Sequence, residues 1–131
     1  MRQRLTAAPV GHLATVGKGG RPHVVPLCFV LEGDAIYWAV DQKPKSTRRL
    51  RRLHNLAAQS SAELVVDHYE EDWNRLWWVR VTAEAAILPE GEETERALDL
   101  LAAKYEQYRR ARPPGPVVRL TIQGWTGWSA A

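Results

Sequence analysis

Six of the 18 lysines and arginines lie within residues 43–52, a segment that contains no acidic residue. Lys43 and Lys45 precede Ser46 and Thr47, and either hydroxyl residue is a typical helix N-cap. The backbone N–H groups at a helix N-terminus are unpaired and partly positive, so they attract phosphate groups. Two lysines and two hydroxyls beside them strengthen that preference. The segment is therefore a candidate phosphate site, although a solvated basic helix has the same composition.

Nucleic acid is another partner that this segment could bind. Four arginines of the segment could follow a phosphate backbone, namely Arg48, Arg49, Arg51 and Arg52. Tryptophans elsewhere in the chain could stack on bases. The six tryptophans lie in other segments, however, and the net charge is only +3. No recognised nucleic-acid-binding motif is present. We therefore expect no nucleic-acid partner.

The residue types that usually carry catalysis are scattered along the chain. The four histidines form neither HxxxH nor HExxH, and Cys28 is the single cysteine, so no metal site is indicated. A GxSxG motif is absent, which argues against acyl transfer. Reactivity would then come from a redox cofactor, while the protein binds it, orients it and excludes water. No side chain is predicted to be catalytic.

The tryptophans offer surfaces against which a flat ring could lie, although some must be core or interface contacts. The candidates for such a wall are Trp38, Trp77, Trp78 and Trp128. In a predicted strand over residues 75–88, Trp77 and Val79 face one side, while Trp78 and Arg80 face the other. A face that mixes a large aromatic with a charge suits an interface or a ligand-facing wall.

Alternating apolar residues and glycine turns predict a mainly β protein, an antiparallel barrel of about six strands with two helices. The helices are expected to begin near residue 46 and to cover residues 92–110. The strands are predicted at residues 11–16, 23–31, 35–40, 62–66, 75–88 and 117–122, the first three forming a β-meander. Residues 1–131 are expected to form one domain, because no linker or repeat is visible.

The amino-terminal residues include two arginines but no long apolar stretch behind them, as a signal peptide would require. No apolar run of the length needed for a membrane span exists in the chain. We therefore expect a cytoplasmic protein with no membrane partner.

The order and spacing of several segments resemble the pyridoxamine-phosphate-oxidase-like split barrels. These segments are GHLATV at 11–16, GRPHVVP at 20–26, YWAV at 37–40 and KPKSTRRL at 43–50. Three others are DHYEEDW at 67–73, WWVRV at 77–81 and WTGWS at 125–129. With these, the chain resembles most closely the actinobacterial branch called PPOX-class F420-dependent oxidoreductases.

The resemblance implies an FMN-binding split-barrel fold and a homodimer with two cofactor sites in grooves between the subunits. It also implies that the cofactor is either FMN or coenzyme F420, a deazaflavin. Lys43 and Lys45 match the basic pair that contacts the cofactor phosphate. The strand that runs beside the cofactor ring corresponds here to Val24, Val25, Pro26 and Leu27.

One departure from the family pattern bears on the cofactor. The oxidase has basic phosphate ligands where this chain has Val25 and Val30, which favours the deazaflavin over FMN. Arg48, Arg49 and Arg52 could then meet its glutamate tail. The implied activity is hydride transfer from reduced coenzyme F420 to an unidentified small organic acceptor. The alternatives are a carrier that binds the deazaflavin without turnover, an FMN-dependent oxidase-like enzyme and a haem-binding relative.

Overall fold

The structure, a computed structural model, describes residues 1–40 and 47–130, without the side chains of residues 47–52. These residues form one antiparallel sheet in the order β2-β1-β5-β6-β7-β4-β3. The strands are β1 (Gly11–Val16), β2 (Pro22–Leu27), β3 (Val30–Glu32), β4 (Ala35–Ala39), β5 (Ser61–His68), β6 (Trp77–Ile87) and β7 (Val117–Ser129). The predicted fold class, a mainly β split barrel with helices, is confirmed.

Four α-helices accompany the sheet in the described residues, and none of them is long and apolar enough to cross a bilayer. They are α1 (Arg2–Ala7), α2 (Thr47–Ala58), α3 (Glu92–Lys104) and α4 (Glu106–Arg110). α2 packs onto the main core through Leu56, which is 3% exposed. Its start at Thr47 agrees with the predicted helix that follows the basic loop.

The core lies on one face of the sheet because apolar residues alternate along its central strands. Leu13 of β1 and Leu64 of β5 are fully buried, as is Val81 of β6. Their partners in the register continue the same face across the sheet, since Leu13 pairs with Leu64 and Leu64 with Val81. The alternation predicted for residues 75–88 is therefore confirmed in β6.

The single strand predicted over residues 23–31 is wrong. β2 ends at Leu27 and β3 begins at Val30, and these two strands lie at opposite ends of the sheet. Phe29 lies in the connection between them and is fully buried. Its N–H donates to the Tyr105 hydroxyl at 3.1 Å instead of to a strand neighbour. The first strands consequently form two separate hairpins, β1–β2 and β3–β4, and not a meander.

Three further elements differ from the prediction. The helix expected over residues 92–110 breaks at Tyr105, whose φ and ψ of −118° and 118° are extended. Residues expected to form a tail continue β7 to Ser129, which pairs with Trp77. α1 was not predicted, because six residues are too few to show a helical period. Its Leu5 is fully buried in the main core.

Candidate functional site

The side of the sheet turned away from the core carries several of the residues singled out from the sequence. We call this surface the outer face. One row across it is defined by direct pairing from β2 to β7 and consists of Pro26, His12, Val65, Arg80 and Thr126. Directly paired residues point to the same side of a sheet, so all five side chains belong to this face.

Two tryptophans and an arginine come together on the outer face. Trp78 of β6 pairs directly with Trp128 of β7, and the Arg80 guanidinium lies 5.3 Å from the centroid of the Trp78 ring. Trp128 is 44% exposed and Arg80 is exposed as well, while Trp78 is half-buried. We call these three residues the aromatic cluster. It presents an open indole surface beside a positive charge.

The four residues of β2 predicted to run beside the ring divide between the two sides of the sheet. Val25 and Leu27 face inward and pack against the main core. Val24 and Pro26 lie on the outer face, and Val24 is 62% exposed. Three strand spacings separate β2 from β6, so these two residues lie roughly 14 Å from the aromatic cluster.

Trp38, another residue predicted to wall the ring, lies elsewhere. It is 1% exposed and belongs to the main core together with Phe29 and Ile36. Its indole therefore has no open face for a ligand, and we leave it out of the site. Its place in a run of four buried residues in β4 explains the position, because that strand is covered on both sides.

The predicted phosphate site falls largely beyond the description of the structure. Lys43, Lys45 and Ser46 lie outside the described residues. Thr47 and Arg48 open α2, and their side chains lie outside the description too. The role of these five residues in phosphate binding stays a prediction.

A pocket of about 450 Å³, the α1 pocket, lies between α1 and the adjacent ends of β1, β5 and β6. It is lined by Gln3, Arg4, Ala7, Ala8, Pro9, Val10, His12, Asp67, His68 and Trp77. Asp67 is the direct strand partner of Trp78, and His12 belongs to the same row of the sheet as Arg80. Through His12 and Asp67 the pocket reaches the strands that carry the aromatic cluster, while its Trp77 wall lies on the core side of β6. We take the pocket and the cluster together as the candidate ligand site.

The walls of the α1 pocket are held by ring contacts. The Arg4 guanidinium lies 4.8 Å from the centroid of the Trp77 ring, which ties α1 to the sheet. The His68 ring, which also lines the pocket, stacks on Trp77, at 6.3 Å between centroids and 19° between planes. The sequence did not predict Arg4 as a pocket residue. Its local sequence shows only a basic residue next to Leu5, which is too common a pattern to indicate a site.

The loop after β5 uses its acidic residues for local contacts. The Glu70 carboxylate contacts the His68 Nε2 and lies 3.3 Å from the Arg75 Nε. The hydrogen bond with His68, and then the charge of Arg75, lower the pKa of Glu70 below its usual value. In the described residues, no three His, Cys, Asp or Glu side chains are placed to hold a metal ion. The contacts instead orient His68 against the pocket.

The connection between β2 and β3, residues 28–29, is held by residues at the end of α3. The Lys104 Nζ donates to the backbone oxygens of Ala8 and Phe29 at 2.8 and 2.9 Å, and lies 4.1 Å from the centroid of the Phe29 ring. Burial lowers the pKa of Lys104 to about 8 and raises the pKa of Tyr105 to about 12. These two side chains anchor the residues that follow α1 and the connection that follows β2.

Solved structures of similar fold come from several bacteria. A FAD-binding protein from Mesorhizobium loti is 21% identical over 96% of this chain and 87% of its own, with a TM-score of 0.73. A conserved hypothetical protein from Mycobacterium tuberculosis is 18% identical over 98% of this chain and 81% of its own, with a TM-score of 0.79. HutZ, a heme storage protein from Vibrio cholerae, is 16% identical over 95% of this chain and 89% of its own, with a TM-score of 0.76.

At these identities the likeness shows the fold alone, and no curated protein matches the sequence. The family described as pyridoxamine 5'-phosphate oxidase has a sequence model that matches residues 1–129, which is nearly the whole chain. With its split-barrel fold and this match, the chain belongs to the pyridoxamine 5'-phosphate oxidase family.

Proposed function

We propose that this chain is an oxidoreductase that binds coenzyme F420 and transfers a hydride between the reduced deazaflavin and a small organic acceptor. The observation that carries the proposal is the aromatic cluster on the outer face, with the α1 pocket near the start of the same strand, β6. The surface of Trp128 suits a flat ring, and the Arg80 guanidinium can donate to an electron-rich heterocycle beside it.

The anionic end of the cofactor is matched by the basic segment that leads into α2. Lys43, Lys45 and Arg48 supply positive charge there, with the hydroxyls of Ser46 and Thr47. Val25, at a position where the oxidase is basic, packs against the core and offers no charge. Phosphate binding would then rest on one segment, which suits the extended phosphodiester and glutamate tail of the deazaflavin better than the compact phosphate of FMN.

When bound, the deazaflavin supplies the hydride, and the residues of the chain provide the binding surfaces. Trp128 and Trp78 orient the ring by contact with its flat face. The α1 pocket receives the acceptor between the apolar side chains of Ala7, Val10 and Trp77, which exclude water. No side chain is assigned the role of an obligatory acid.

We further propose that two copies of the chain associate through the outer face and that the cofactor sites lie between them, in the cytoplasm. Val24 at 62% and Val16 at 39% exposed are apolar residues of this face, and Trp128 adds an aromatic surface. A second copy would cover them and remove apolar area from water. Light scattering of the purified protein would then give twice the mass of the chain.

Equilibrium titration with coenzyme F420 and with FMN, each at low and high salt, tests the proposed cofactor. We expect deazaflavin binding that weakens with salt, because charged contacts near the surface are screened. Lys45→Ala should weaken it further. Trp128→Ala should lower the affinity about 5- to 150-fold, the equivalent of about 1–3 kcal/mol for one stacked ring. Trp73→Ala removes another exposed tryptophan, 76% exposed in the loop after β5, and should leave binding unchanged.

Tight FMN binding without deazaflavin binding would refute the proposal, as would equal affinities in Trp128→Ala and Trp73→Ala. Turnover separates an enzyme from a carrier. Reduced deazaflavin incubated with enones and quinones should be oxidised only when the protein is present, and oxidation at the uncatalysed rate would indicate a carrier.

Haem binding is a second candidate, favoured by the histidines of the α1 pocket. His12 and His68 both line this pocket, and imidazole is a common haem ligand. The similar structure from Vibrio cholerae is described as a heme storage protein. Haem titration of the wild type and of His12→Ala and His68→Ala variants decides this case, because a bound haem would lose affinity in one of the two.

A further inference from the structure

A second pocket lies at the opposite end of β1 from the α1 pocket. We call it the turn pocket, because the β1–β2 turn meets the carboxyl-terminal half of α2 there. It has a volume of about 230 Å³ and is lined by Gly17, Lys18, Arg21, Pro22, His23, His54 and Asn55. The length of β1 places it roughly 17 Å from His12, and the described residues that line the two pockets are all different.

The lining of the turn pocket is basic. Lys18 and Arg21 bring two positive charges to one short turn, and His23 and His54 add two imidazoles from β2 and α2. Among the described residues, no aspartate or glutamate lines it. Within the part of the chain that the structure describes, neither Lys18 nor Arg21 forms an ion pair. These charges are therefore available to an anion.

His23, one of the lining residues of the turn pocket, carries a polar atom without a partner. The Nδ1 of His23 is buried and has no hydrogen-bond partner among the described residues. Buried polar atoms are almost always paired, so this nitrogen is a candidate partner for a group that enters the pocket. The turn also approaches α2 closely, since a Cβ at Gly17 would lie 3.3 Å from the Asn55 Oδ1. Because glycine has no Cβ, the turn can approach Asn55 of α2 this closely.

We propose that the turn pocket binds an oxyanion, a phosphate or carboxylate group, held by Lys18 and Arg21 with His23 at its inner end. A volume of about 230 Å³ is below that of pockets for whole drug-sized ligands, which span roughly 300–1,000 Å³. It fits a small anion or the end of a longer ligand.

Two sources could supply the same chemistry. One is a free phosphorylated or carboxylated small molecule. The other, which rests on the proposed function, is the carboxylate end of the deazaflavin tail. His54 lies seven residues after Thr47 in α2, or roughly 10 Å along the helix from its start. A tail that begins at the helix N-terminus could span this length.

Histidine resonances in proton NMR report directly on this pocket. Sodium phosphate is titrated into the protein at constant ionic strength, with the four histidines assigned by single glutamine substitutions. We expect saturable shifts of His23 and His54, with no shift of His12 and His68. Lys18→Ala and Arg21→Ala should each weaken phosphate binding at least fivefold, with the two histidine shifts retained at higher phosphate.

The matched control is Arg110→Ala, which removes an exposed arginine paired with Glu106 on α4 and should bind phosphate like the wild type. Equal, non-saturating shifts of all four histidines would overturn the proposal. Wild-type phosphate affinity in both Lys18→Ala and Arg21→Ala would do so as well.

The source of the anion is separated by adding deazaflavin with and without its glutamate tail to the phosphate-loaded protein. Reversal of the His23 and His54 shifts by the tailed form alone identifies the tail as the ligand. Shifts that neither form reverses identify a free oxyanion. Because the first titration uses phosphate without cofactor, its result does not depend on whether the chain binds a deazaflavin.

Discussion

The Tyr105 hydroxyl is the point at which the strand connection can be tested most directly. It accepts the Phe29 N–H at 3.1 Å, and its oxygen lies 2.8 Å from the Pro9 oxygen and 3.0 Å from the Phe29 oxygen. Tyr105→Phe keeps the ring, with its edge-on contact to Tyr108, and removes only this oxygen. The variant therefore measures the contribution of the hydrogen bonds that hold the connection between β2 and β3.

The cost follows from the groups left without a partner. An unpaired buried N–H at Phe29 costs about 1–3 kcal/mol, and the lost donation to a backbone oxygen adds about 1 kcal/mol. The Phe29 oxygen keeps its bond from the Lys104 Nζ at 2.9 Å, so it adds little. We expect Tyr105→Phe to lower the free energy of unfolding by about 2–4 kcal/mol.

Urea unfolding at neutral pH measures this difference, where the raised pKa of Tyr105, about 12, keeps the hydroxyl neutral. The control is Tyr69→Phe, which removes the same atom from a side chain in a residue 64% exposed to solvent. Its effect should stay within about 0.5 kcal/mol of the wild type. If the two variants unfold at the same urea concentration with equal slopes, the hydroxyl does not hold the strand connection.

Two further predictions concern the buried surroundings of this connection. Because burial lowers the pKa of Lys104 from its usual 10.5 to about 8, the unfolded chain binds more protons in this window. The free energy of unfolding should rise between about pH 8 and about pH 10, and Lys104→Met should lack this rise in denaturant titrations; an equal rise in both proteins would contradict it. Gly11→Ala places a Cβ 3.0 Å from the Leu64 Cδ1 and 3.1 Å from the Phe29 Cε1, both in fully buried side chains. It should lower the free energy of unfolding by about 1–3 kcal/mol through overpacking, and an unchanged thermal midpoint would show that the core yields.

The alternation of apolar residues was enough to predict the central strands and the side on which their residues lie. In β6, Val79 and Val81 alternate with Trp78 and Arg80, and the first pair is buried while Arg80 is exposed. A period of two residues is a local property, so it survives in the sequence without knowledge of the partners. The mainly β class and the outer position of Trp78 and Arg80 followed from it.

The composition of residues 43–52 predicted a helix that begins with a basic loop, and α2 begins at Thr47. Composition could not show where Trp38 would lie. An indole in a strand suits a ligand wall and a core equally well, and the packing of β4 buries it at 1% exposure.

What the amino-acid sequence determined by itself was therefore the class of fold, the central strands and the basic approach to α2. The tertiary structure alone decided that residues 23–31 divide between the two ends of the sheet. Every residue from Val24 to Val30 is apolar or proline, so no periodicity marks the break. The deciding group, the Tyr105 hydroxyl, lies 76 residues further along the chain from Phe29. The existence of α1 was likewise decided by tertiary packing, which includes the contact between Arg4 and Trp77. A helix of six residues is stabilised by packing and not by its own helix propensity, so the local sequence does not predict it.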